Sequence, residues 1–144
     1  MSGILFAILA GSAMSLQGVM NTRLSEKIGL YESNAWVQGT AFLFAIIALV
    51  FAGKGSLRTI TEVENKLYLS GGLFGIIITV TVMLSIGKLS PTVATGIILI
   101  AQLTVSALIN AFGWFDSEKI AFGWRQYVGL FVMIGGIFLF RWQK

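Results

Sequence analysis

The side chains of this sequence that could do chemistry are carboxamides and hydroxyls set inside long apolar runs. Gln17 and Asn21 stand four residues apart, Asn34 and Gln38 repeat that spacing, and Thr95, Gln102, Ser106 and Asn110 follow at intervals of seven, four and four. On a helix each of these sets shares one face. Hydrocarbon offers polar groups no hydrogen bonds, so at membrane depth they must pair with one another or line a wet cavity. An amide carries donors and acceptors without charge, which suits recognition of a neutral, zwitterionic or polar solute. The competing role is fastening helices together, at about 0.6 kcal/mol per interhelical hydrogen bond. For Ser and Thr, including Ser106, fastening has the stronger claim, because a hydroxyl also bonds to its own helix. For Gln17, Asn21, Gln38 and Gln102 both roles stand open.

The missing residues narrow the chemistry further. The chain has no His and no Cys. Disulfide scaffolds, thiolate or imidazole metal sites, Cys nucleophiles and His relays are therefore excluded, and an enzyme is not expected. No metal or cofactor is implied. The central part of each apolar run lacks Asp, Glu, Lys and Arg. There is thus no intramembrane proton carrier or counter-ion for a cationic drug. Glu32 comes nearest, and at the head of a helix its carboxylate suits the helix dipole.

The elements that must position these groups follow from composition. Of 144 residues, 56% are hydrophobic and 11% charged, whereas a soluble domain has about 25% charged. Sixteen charged side chains cannot cover a water-soluble surface, so the bilayer is the solvent. The net charge of +4 comes from single basic residues between apolar runs, with no patch for nucleic acid. Uncharged runs cover residues 1–22, 33–53, 67–87 and 89–115, and a shorter one of 15 residues covers 126–140. A spanning helix needs about 20 apolar residues. The chain is therefore read as one transmembrane domain over 1–144, with five helices at about 2–22, 33–53, 67–87, 91–114 and 122–141. The fifth spans only with snorkelling basic flanks. The first lacks a basic leader and is expected to stay in the membrane. Ser90 and Pro91 form a cap and first turn for the fourth helix, which makes helices three and four an expected hairpin. Trp114, Trp124, Trp142, Tyr31, Tyr68 and Tyr127 fall near helix ends as interface anchors. Trp36 also lies near an end, but beside the amide cluster. Small residues at Gly71, Gly75 and Thr79, at Gly11, Ser15 and Gly18, and at Gly129, Gly135 and Gly136 predict close helix contacts, with helices three and five in tight packing.

Topology follows Lys and Arg in short loops. With five spans, Lys54, Arg58, Lys66, Lys119 and Arg125 fall on one side, and Arg23, Lys27, Lys88, Arg141 and Lys144 on the other. This balance predicts insertion in both orientations and an antiparallel homodimer about an axis in the membrane plane. A skewed weighting of Lys66 or Arg125 would instead select one orientation.

The stretch LQGVMNTRLSEKIGLYESNAWVQGTAF at residues 16–42 and the stretch GWFDSEKIAFGWRQYVGLFVMIGG at 113–136 resemble the YdcZ family of small bacterial membrane proteins, within the drug/metabolite transporter superfamily. Its more specific pieces are similar to Gln17, Asn21 and Leu24, to Gly39 and Thr40, and to the run from Arg125 through Gly129 to Gly136. The resemblance implies a five-helix inner-membrane transporter whose relatives occur as dual-topology proteins, opposite pairs and ten-helix fusions. The architecture is similar to that of the four-helix small multidrug resistance transporters. The departure is Gln17 on the polar face of helix one in place of an embedded glutamate, which argues against proton-coupled export of organic cations.

The resulting expectation is an all-α integral membrane protein with a bundle of that superfamily's kind. It works as an antiparallel homodimer in lipid and moves a small polar or amphipathic metabolite or drug by alternating access. Gln17, Asn21, Asn34, Trp36, Gln38, Gln102 and Ser106 are its expected substrate-binding residues. A dual-topology channel or pore, or an accessory membrane subunit, are the alternatives.

Overall fold

The computed structural model describes residues 2–120 and 123–142. Its long helices are α1 (Ser2–Ile28), α2 (Leu30–Ala52), α3 (Gly71–Lys88), α4 (Pro91–Phe112) and α5 (Trp124–Arg141), with short 3-10 turns at Leu57–Glu62, Lys66–Ser70 and Trp114–Asp116. The stretches Ser2–Ile28, Leu30–Ala52, Lys66–Lys88 and Pro91–Phe112 are long and apolar enough to cross a membrane, and Trp124–Phe140 is a shorter apolar helix. The fifth helix's expected start at 122, and Lys144, lie outside the described residues.

The first helix outruns its apolar stretch. It continues through Arg23, Glu26 and Lys27 to Ile28, because these charged residues are good helix formers once they reach water. At 1.5 Å per residue α1 is about 40 Å long, roughly 10 Å more than the hydrocarbon core. What stops it is Gly29, with φ 101° and ψ 156°, a backbone conformation open almost solely to glycine. The Gly29 N–H donates to the Ser25 carbonyl at 3.0 Å, and the Ser33 N–H donates to the Gly29 carbonyl at 3.0 Å. One residue thus reverses the chain, where the apolar runs alone leave a ten-residue connection between residues 22 and 33.

The chain forms two compact units, one ending at Lys88 and the other starting at Leu89. In the first, α1 packs on α2 and α3, and α2 packs on α3. The packing is inside-out relative to a soluble protein. Asn21, Thr22, Ser33 and Asn34 are buried together with Gly18, Met83 and Ile86, while large apolar side chains such as Phe44 and Phe51 face outward. Lipid is the medium in which such an exterior is stable. The buried hydroxyls are satisfied locally: Thr22 Oγ1 donates to the Gly18 carbonyl at 2.7 Å, and Ser33 Oγ donates to the Asn21 carbonyl at 3.3 Å. Gly18 is the close-approach point between α1 and α3. A Cβ built there would lie 2.9 Å from Ile86 Cδ1 and 3.2 Å from Val82 Cγ1.

In the second unit α4 packs on α5. Ser90 Oγ accepts from the Val93 N–H and Pro91 occupies the first turn of α4, while Gly113 at φ 68° ends the helix by donating its N–H to the Ile109 carbonyl. The close contact is at Gly96, where a Cβ would lie 2.9 Å from Ile137 Cδ1. It is therefore a glycine of α4 that seats a side chain of α5. Gly129, Gly135 and Gly136 on α5, and Gly11 and Gly71, face open space within the chain.

Candidate functional site

The turn at Gly29 brings the second half of α1 against the first half of α2, and a groove of about 630 Å³ lies along that pair. Its α1 wall carries Gln17, Met20, Asn21, Arg23, Leu24 and Lys27, at the 3–4 residue spacing of one helix face. Its α2 wall carries Trp36, Val37, Thr40, Ala41 and Phe44, again one stripe. Three of the expected binding residues, Gln17, Asn21 and Trp36, meet in this groove. Asn21 is 8% exposed and anchors the floor, whereas Trp36, at 64%, is free to contact a solute.

The remaining expected residues sit elsewhere. Gln38 turns toward α3, where its Nε2 donates to Thr79 Oγ1 at 3.4 Å and lies 3.5 Å from the Cβ position of Gly75. Thr79 in turn donates to the Gly75 carbonyl at 2.8 Å. This is a helix-fastening contact, and it explains how the small residues of α3 are used: Gly75 leaves room for an amide from α2. Asn34 is buried at 8% exposure, and among the described residues its Oδ1 has no hydrogen-bond partner. Gln102 and Ser106 belong to α4, in the second unit, and are exposed. A hollow of about 300 Å³ in that unit is lined by Ile97, Ile100, Ala101, Ile134, Ile137 and Phe138. Its walls are wholly apolar and offer nothing for polar recognition.

Arg23, Lys27, Thr40 and Phe44 line the groove without having been expected as binding residues. Arg23 and Lys27 read as topology markers because charged residues lie outside the apolar run. Their spacing was the available signal, since Met20, Arg23 and Lys27 continue at intervals of three and four the face that Gln17 begins. Arg23 Nη1 pairs with Glu26 at 3.0 Å, an exposed i, i+3 bridge that contributes little to stability. The Thr40 hydroxyl donates back to the Trp36 and Val37 carbonyls at 2.9 and 3.0 Å, which leaves its lone pairs toward the groove. No carboxylate lines the groove. The arrangement is one for non-covalent binding: amide donors and acceptors, an indole face and a pair of cations beside the apolar side chains of Val37, Ala41 and Phe44.

Comparison with known proteins gives one family. The family model described as "Putative inner membrane exporter, YdcZ" matches residues 2–139. No curated protein and no solved structure matches the chain.

Proposed function

The chain belongs to the YdcZ family of inner membrane exporters, a multi-pass membrane protein concerned with transport, and from that premise we propose a carrier that moves a small polar or amphipathic solute by alternating access as an antiparallel homodimer. The observation that carries this reading is the groove in which Gln17, Asn21 and Trp36 converge, since it joins amides and an aromatic face at the membrane end of two spanning helices. In this reading Gln17 and Asn21 hydrogen-bond the solute and Trp36 covers it. The groove is open along one side, and a second protomer closes it. Gln102 and Ser106 are solute-contacting residues of α4 in their own unit, while Gln38 and Asn34 lie behind the groove. The five helices span the membrane. The even split of ten basic residues supports copies in both orientations, and two opposed copies give two open states of equal energy by symmetry.

A chain without Cys makes the test clean. Single cysteines at Ser56 and at Lys88, labelled by an impermeant maleimide, are each expected to react in about half the molecules in intact cells and in the other half only once permeabilisation opens the inner face. Labelling of each site from one side only refutes the antiparallel dimer. Proteoliposomes test the rest: solute counterflow that Gln17→Leu and Asn21→Leu lower at least about tenfold, with both variants still inserted, is the expected outcome. Unaltered flux in both variants removes the groove from the pathway, and channel-like throughput removes the carrier.

A further inference from the structure

The groove of α1 and α2 is graded in charge, and the gradient selects a ligand. Both of its ionisable lining residues, Arg23 and Lys27, are basic, and no Asp or Glu lines it. Glu26, its side chain 51% exposed, is not among the groove's lining residues and pairs with Arg23 through an exposed bridge at 3.0 Å. Among the described residues Lys27 has no ion pair. The cations stand at the turn end of α1, and Lys27 lies about 15 Å along the helix axis from Gln17. Val37, Ala41 and Phe44 make the deeper part of the opposite wall apolar. A solute seated there meets two positive charges at one end and an indole, a phenyl ring and aliphatic groups along its body.

Taking the groove as the solute seat proposed above, we infer that it binds an amphipath with an anionic head on an apolar body. The head, a carboxylate or a phosphate, lies between Arg23 and Lys27. The body lies against Trp36 and Phe44, with Gln17 and Asn21 reading polar groups between. A cation-headed amphipath meets the unpaired ammonium of Lys27 and an Arg23 whose only counter-charge, Glu26, is already engaged, so it binds more weakly than the anion. Because the cations sit at the depth of the headgroups, the same chemistry arrives from two sources: a free amphipathic anion, or the headgroup of an anionic lipid with its acyl chain along the groove.

The test uses the purified full chain in nanodiscs of phosphatidylcholine and reads quenching of tryptophan by bromine. The quenching assigned to the groove is the part abolished by Trp36→Phe. The probes are 8-bromooctanoate and 8-bromooctyl-trimethylammonium, which share a tail and differ in head charge. The anionic probe is expected to bind at least about tenfold tighter than the cationic one, and Arg23→Gln or Lys27→Gln to weaken it about tenfold each, as for the loss of one charge-assisted contact. Equal affinities, or preference for the cation, overturn the inference on the wild-type chain alone, with no variant needed. Discs containing brominated phosphatidylglycerol or brominated phosphatidylcholine separate the sources. Preferential quenching by the anionic lipid, lost in the double variant, assigns the seat to lipid; quenching by bromooctanoate with no lipid preference assigns it to the free anion. The outcome is separable from the carrier reading. Counterflow of some solute with charge-blind probe binding leaves the carrier standing without its anion preference, and charge-selective binding without counterflow of any solute does the reverse.

Discussion

The single-residue turn at Gly29 sets the groove, and its replacement by alanine measures how much. At φ 101° and ψ 156° an L-residue with a Cβ sits in a region that costs about 1–3 kcal/mol. A Cβ there also meets the carboxylate of Glu32, but that side chain is exposed and rotates away, so this contact adds at most about 0.5 kcal/mol by the ordinary cost of a rotamer change. Gly29→Ala should therefore destabilise the protein by about 1–3 kcal/mol, nearly all of it backbone strain. The matched control is Gly39→Ala inside α2, where nothing lies near the added methyl. Helix propensity makes that change stabilising by up to about 1 kcal/mol. The assay is reversible denaturation of the purified protein in mixed micelles, followed by circular dichroism and repeated on a Glu32→Ala background. If the strain is in the backbone, the Gly29→Ala penalty survives removal of Glu32 within about 0.5 kcal/mol. A Gly29→Ala protein as stable as wild type, or a penalty that vanishes with Glu32, refutes the reasoning, because the turn would then not require a left-handed residue.

Three further outcomes follow from contacts already described. Gln38→Leu and Thr79→Val each remove the α2–α3 hydrogen bond and are expected to cost about 0.6 kcal/mol; a double-mutant cycle in the same micelles should return a coupling of that size and not the sum. Gly96→Leu forces a branched side chain against Ile137 and should destabilise by about 1–3 kcal/mol, whereas Gly136→Leu, with open space around it, should stabilise by up to about 1 kcal/mol through the helix propensity that also acts at Gly39. Asn34→Leu removes a buried amide whose oxygen lacks a partner, so stability should stay level or rise; a fall of more than about 1 kcal/mol would mean the amide is satisfied in the working protein.

The helices were legible in the sequence because one quantity, the distance between charged residues, reports on one physical requirement, the thickness of hydrocarbon. Their ends were not, and α1 shows why. The apolar run stops at Thr22, but a helix continues wherever residues favour it, and Arg23 to Ile28 do so until Gly29. The amides were recognised as costly in lipid, and Gln17, Asn21 and Trp36 do gather in one groove. Their spacing could not distinguish them from Gln38, because an i, i+4 pair defines a face of its own helix and says nothing about which neighbour that face meets. Asn34 and Gln38 share a stripe, yet Gln38 bonds to Thr79 of α3 while Asn34 is buried without a partner for its oxygen. The glycines carried the same ambiguity: seven looked suited to close packing, and of those only Gly18 and Gly75 meet a neighbouring helix, while Gly96 was not among them.

What the sequence alone determined is the solvent. Sixteen charges in 144 residues, absent from the centres of the long apolar runs, leave no stable arrangement in water. What the tertiary structure decided is partnership. The one-residue turn at Gly29 aligns the charged end of α1 with the aromatic start of α2, so residues that mark topology in the sequence become the cationic end of a groove. Hydropathy is a property of each residue against its solvent and can be summed along the chain. Which two faces meet depends on how helices pack, and that is a property of pairs far apart in sequence.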